Sequence, residues 1–178
     1  MLRKKFTLKE LIYISLLATI ATISKTPIRV LSNFLTNSFG LPGGVIGGVY
    51  YMFWIVAACG FIKKCGTATL FCIIQIFVSF VIFTMPPIKL ITYLPPGMVI
   101  DLFLLLWRKD PLQKGIMGIL GALANSAGAI TQAKLFMGLP MIPTLISGIS
   151  AAVSGAIGGY LAFILVIKLN KEEKAITF

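Results

Sequence analysis

Six long apolar stretches, separated by short polar breaks, constrain this chain more than any other feature. They run Leu8–Ile23, Leu41–Ile62, Thr67–Thr84, Ile88–Trp107, Leu112–Phe136 and Met141–Leu169. A helix crossing a bilayer needs about 20 apolar residues, so most of these stretches have the length of a span. Composition agrees: 58% of the 178 residues are hydrophobic and only 12% are charged. A soluble domain is nearer 45–50% apolar and about 25% charged. Disorder is excluded on the same ground.

The charges fall in a pattern. If the N-terminus lies inside, the inner segments hold Arg3, Lys4, Lys5, Lys9, Lys63, Lys64, Arg108, Lys109, Lys114, Lys168, Lys171 and Lys174. Of the 16 Lys and Arg residues, that leaves Lys25, Arg29, Lys89 and Lys134 outside. Such a bias sets orientation in membranes. The expected fold is therefore an all-α integral membrane protein: six transmembrane helices in a single domain over residues 1–178, with both termini inside. The same placement argues against nucleic acid as the partner of a +11 chain. The first stretch could also be misread as a signal peptide, but the charge count works best with it retained as a helix.

Two places depart from regular spans. The first stretch is short, and Leu31–Phe39 can add a re-entrant or interfacial piece. The fourth is interrupted by Pro95-Pro96, soon after Pro86-Pro87. Proline removes an N–H donor and ends or kinks a helix, so a partly irregular loop or kink is expected around Pro86–Pro96.

Catalytic chemistry has little to work with. The chain has no histidine, no phosphate-binding glycine loop and no paired intramembrane carboxylates. Its three cysteines include no C-x-x-C, so neither a metal nor another cofactor is expected. Asp101 is the one intramembrane acid. It is either functional or bonded to a nearby cation or backbone group. The chain is read as not an enzyme. Alternatives that remain open are a membrane-embedded enzyme acting on a lipid or prenyl substrate, and a membrane assembly subunit.

Small and polar residues repeat on single helix faces: Gly118, Ala122, Asn125, Ala129 and Gln132; Ala68, Cys72, Gln75 and Ser79; Gly44, Gly47, Tyr51, Trp54 and Ala58; Gly148, Ala152, Gly155 and Gly159. Such stripes pack helices closely. Run through the topology, Gln75 and Asn125 fall near mid-depth, with Ser79, Tyr93, Gln132 and Ser147 further out. An outward-facing pocket of apolar walls, aromatics and a few polar groups is one way to use them.

Several stretches resemble the substrate-binding S components of energy-coupling factor (ECF) transporters. They are Lys4-Lys5-Phe6-Thr7-Leu8-Lys9-Glu10 leading into Leu17-Ala18-Thr19-Ile20-Ala21; Gly47-Gly48-Val49-Tyr50-Tyr51-Met52-Phe53-Trp54; Ile62-Lys63-Lys64-Cys65-Gly66-Thr67-Ala68-Thr69-Leu70; and Pro96-Gly97-Met98-Val99-Ile100-Asp101-Leu102-Phe103. The second and third look most like the branch proposed to carry thiamine or its hydroxymethylpyrimidine moiety. The resemblance implies a multi-pass subunit in the cell membrane of a prokaryote. It would bind a vitamin-like small molecule from outside with high affinity and itself hydrolyse nothing. It also implies partners: a membrane T component and two cytoplasmic ATPase subunits, against which the S component topples. Loops at Ser24–Gly40, Thr84–Pro96 and Met137–Pro143 would cover the site. On this reading the candidate ligand-binding residues are Arg29, Tyr51, Trp54, Gln75, Tyr93, Asn125, Gln132 and Lys134. Ala18-x-x-x-Thr22, with Ser15 on the same stripe, stands where the family often carries a small-residue face for the T component. Thiamine-type members place acids around a cationic ligand, whereas this chain has no Asp or Glu between Leu11 and Ile100. That inventory favours a neutral or anionic ligand.

Overall fold

A computed structural model of the chain describes residues 5–37, 44–83, 90–107, 110–113 and 115–176. Among them are six α-helices: α1 Leu8–Asn37, α2 Gly44–Ile62, α3 Thr67–Phe83, α4 Leu94–Trp107, α5 Ile116–Leu135 and α6 Met141–Ile176. A 3-10 turn, Ile91–Tyr93, leads into α4. Two segments, Ile116–Leu135 and Met141–Glu172, are long and apolar enough to cross a membrane. The other apolar helices are shorter among the described residues.

The start of α1 is set by a reciprocal cap. Thr7 N–H donates to Glu10 Oε2 at 2.7 Å, and Glu10 N–H donates to Thr7 Oγ1 at 3.4 Å. This Thr-x-x-Glu pairing satisfies two of the donors that every helix leaves orphaned at its start. Lys64, between α2 and α3, then reaches Glu10 at 2.6 Å and the Lys5 carbonyl at 3.0 Å. The Lys64 ammonium holds the Glu10 carboxyl below its ordinary pKa.

α1 differs from the sequence expectation. It does not stop at Ile23 but continues through Pro27 to Asn37 as one helix. Proline in a helix forfeits one backbone bond. Thr22 and Ser24 hydroxyls bond back to the Ala18 and Ile20 carbonyls just upstream. The Pro86–Pro96 expectation is also revised in part. Positions 84–89 lie outside the described residues, but Ile91–Pro96 is helical. Pro95 and Pro96 fall in the first turn of α4, where the missing N–H has no intrahelical partner to lose.

Neighbouring helices run antiparallel. Ser32 near the end of α1 accepts from Gly47 N–H at the start of α2, while the start of α1 meets Lys64 beyond the end of α2. The tightest seam joins α5 and α6. A Cβ on Gly121 would overlap the Gly155 carbonyl, and one on Gly159 would overlap the Met117 carbonyl. Gly158 meets the Val49 carbonyl of α2 in the same way. The glycine stripes thus act as packing faces, with backbones in contact.

The interior is built from Ile14, Val56, Phe71, Ile100, Leu104, Met117 and Leu120, with many alanines between them. Large apolar side chains face outward along α1, α3, α4, α5 and α6, among them Tyr13, Phe34, Val81, Leu106, Ile142 and Ile149, whereas α2 exposes none among the described residues.

One candidate surface is turned the other way. Ala18 is 0% exposed and Thr22 2% exposed, and Ala18 belongs to the core. The stripe read as a partner-docking face therefore packs α1 onto the bundle, with Ser15 half-buried at its edge. The outward face of α1 carries Ile12, Leu16, Ile20 and Ile23 instead. Small residues are needed on the inward side because α1 lies against both α2 and α3.

Candidate functional site

The two ends of the bundle differ in charge. One end carries the basic connection Lys63-Lys64, and all five acids of the chain belong to segments at that end: Glu10, Asp101, Asp110, Glu172 and Glu173. Lys63 pairs with Asp110 at 3.3 Å. Asp101 is buried on α4 and aims its carboxylate at the start of α3. Gly66 N–H donates to Oδ1 at 2.9 Å, Thr69 N–H to Oδ2 at 2.7 Å, and Ala68 N–H to Oδ1 at 3.4 Å. A carboxylate there meets both the orphan N–H groups and the positive end of the helix dipole. Gly66, at φ +91°, makes the turn that presents the first of these donors. Asp101 is thus a helix cap supplied by a neighbouring helix. Arg108 and Lys109, its other suggested partners, lie outside the described residues.

The opposite end holds the candidate ligand residues. Continuing α1 past Ile23 brings Lys25 onto the inward stripe of Ala18 and Thr22, one turn further on. Its ammonium sits 4.5 Å from the ring centre of Tyr51 on α2 and 4.2 Å from that of Tyr93 in the 3-10 turn. Both distances are within cation–π range. Among the described residues, Lys25 has no carboxylate or hydrogen-bond partner. Lys25 thus joins two residues predicted from sequence, Tyr51 and Tyr93, and was itself expected only as an outer cation.

Trp54 lies one turn beyond Tyr51 on the same face of α2. Its ring packs edge-on against Phe53 at 5.4 Å and Tyr50 at 6.1 Å. Its Nε1 is buried and has no hydrogen-bond partner among the described residues, as is true of the hydroxyl of Ser147 on α6. Gln75 on α3 is only 7% exposed and makes no hydrogen bond among the described residues. Buried polar groups are nearly always bonded, so the Trp54 indole N–H and the Ser147 hydroxyl mark places where something polar belongs.

The remaining candidates are placed differently. Asn125 is buried at the α5–α6 seam, where its Nδ2 donates to the Ala151 carbonyl at 2.8 Å and to Ser154 Oγ at 2.9 Å. Gly48 makes room for that amide, since a Cβ there would overlap it. Lys134 is exposed and reaches the Leu139 carbonyl at 3.4 Å, just past the end of α5. Gln132 is half-buried on the final turn of α5. The Arg29 side chain lies outside the described residues.

An apolar groove of about 380 Å³ lies between α1, α2 and α6, lined by Ile28, Leu31, Tyr50, Phe53 and Leu161 among others. Gly47 also lines it, and neither Tyr51 nor Trp54 does. Among the described residues no cluster of His, Cys, Asp or Glu could hold a metal ion.

No protein-family model matches the chain, and no curated protein matches its sequence. In three dimensions it is similar to a solved protein described as an S-component of an ECF transporter. The TM-score is 0.79 at 19% identity, over 95% of this chain and 88% of that one. The helices, their order and their packing are thus those of the ECF S-component fold.

Proposed function

We propose that the chain is the substrate-binding membrane subunit of an ECF-type importer, taking up a vitamin-like small molecule. The observation that carries this reading is the likeness in fold over nearly the whole chain. The basic end, with Lys63 and Lys64, faces the cytoplasm under the positive-inside rule, and Lys25, Tyr51 and Tyr93 face outward. The outward apolar side chains are the lipid-facing surface of six spans. The partners are a membrane T component and two cytoplasmic ATPases.

The ligand binds at the outer end, bounded by Tyr51, Trp54, Tyr93, Gln75 and Lys25. A planar ring stacks against Trp54 while Gln75 and Ser147 supply hydrogen bonds to its polar edge. Asn125, with its N–H donors spent on α6, serves the walls of the site. A thiazolium ring is disfavoured because Lys25 already holds the position a cation would seek.

Affinity purification of the tagged full chain from its native membranes, in mild detergent, tests this reading. A second integral membrane protein and two ATPases should co-purify in fixed ratio. Recovery of the chain alone, or with unrelated proteins, would contradict it.

A further inference from the structure

We infer that the ligand carries an anionic group, a carboxylate or phosphate, received by Lys25 Nζ between Tyr51 and Tyr93. The inference rests on the outer-end site proposed above and adds the chemical class of what enters it.

Among the described residues, the outer end holds a cation with no counter-charge beside it. A lysine ammonium and an indole N–H are donors only. The Lys25 ammonium is flanked by two aromatic faces, at 4.5 Å and 4.2 Å, which attract its charge but offer no oxygen lone pair. Trp54 Nε1, one turn away along α2, is buried and unbonded. The sequence places no Asp or Glu between Leu11 and Ile100, and all five acids belong to the other end. The site therefore has a fixed cation and a fixed donor, and nothing in the described chain neutralises either. A carboxylate or phosphate is the group that would supply the charge Lys25 lacks. The same geometry excludes a cationic ligand. Two facing tyrosines would otherwise suit a quaternary ammonium, but this pair is occupied by the chain's own lysine.

Calorimetry on the full-length protein in detergent tests this with three simple probes: benzoate, inorganic phosphate and tetramethylammonium. The wild type should bind at least one of the two anions saturably and should not bind tetramethylammonium. Lys25→Met should weaken the anion at least about tenfold, and Lys25→Arg should retain it. Lys25→Ala, which vacates the aromatic pair, should gain tetramethylammonium binding. Should the methionine and alanine variants fail to fold, the wild type and Lys25→Arg still decide the matter through anion binding and cation exclusion. Tetramethylammonium binding by the wild type, absence of binding by both anions, or unchanged anion affinity in folded Lys25→Met would each overturn the inference. Repeating the titration in phosphatidylglycerol and phosphatidylcholine nanodiscs identifies the source of the anion. Competition only by phosphatidylglycerol means a lipid headgroup, and none means a free solute. Co-purification of the T component and ATPases does not depend on ligand charge. Failure of this inference therefore leaves that association intact, whereas failure of the importer reading removes it.

Discussion

Replacing Asp101 by alanine removes the acceptor that closes the start of α3. Two of its three bonds, at 2.7 Å and 2.9 Å, have good length and the third, at 3.4 Å, is weak. Hydrogen bonds to a charged group contribute about 1.5–3 kcal/mol each, so two set an upper range of roughly 3–6 kcal/mol. The freed N–H groups lie near the bundle end, where water can recover part of that. A net loss of about 2–4 kcal/mol follows, including the helix-dipole share. For a chain of this size each kcal/mol moves Tm by about 2–4 °C, so thermal unfolding in detergent should show a fall of roughly 5–15 °C. Asp101→Asn keeps one acceptor oxygen and loses the charge, and should fall about half as far. A Tm within about 1 °C of wild type in Asp101→Ala would refute the capping account. If that variant also lost ligand binding, Asp101 would have to act on the substrate instead.

Four further outcomes follow from the packing and the charges. Gly121→Val should separate α5 from α6 and cost about 3 kcal/mol or more. Gly118→Ala, whose Cβ would meet the Ala156 carbonyl at an ordinary 3.6 Å, should be neutral or stabilising in the same unfolding assay. Ala18→Trp should lower Tm sharply, because the site is in the core; normal stability with loss of uptake alone would restore a docking role for that face. The depressed pKa of Glu10 means that its ionised form stabilises the fold above the ordinary carboxylate pKa, and that this is lost as pH falls through the lowered value. Wild type should therefore unfold at a higher temperature than Glu10→Gln at pH 7, and the gap should close on acidification. A gap independent of pH would show that Lys64 does not act through the charge of Glu10.

What the sequence revealed, and what it hid, follows from the physics of particular residues. The glycine and alanine stripes were legible because small side chains at helical spacing have little use other than close approach. On α6 the seam runs through Gly155 and Gly159, both on the stripe as read, while on α5 it adds Gly121, which that stripe did not include. The end of α1 was not legible. Lys25, Thr26, Pro27 and Arg29 interrupt the apolar run, so hydropathy ends at Ile23 while the helix does not. Hiding the continuation also hid Lys25, whose spacing from Ala18 and Thr22 places it inward only if the helix persists. The Thr7-x-x-Glu10 spacing is that of a cap, but it was not read as one. The role of Asp101 was not, since its partners are backbone N–H groups about 32–35 residues away in sequence, a contact that only the α3–α4 packing creates. Ala18 and Thr22 were read correctly as a small face but on the wrong side of α1, because periodicity defines a stripe and not the direction it points.

Native mass spectrometry of the wild-type chain, purified from its own membranes without added ligand, tests the central claim most directly. A substrate-binding subunit of high affinity should carry one small acidic molecule per chain, released on denaturation and absent from Lys25→Met prepared in parallel. A chain that carries only phospholipid, or a small molecule retained equally by Lys25→Met, would contradict the account.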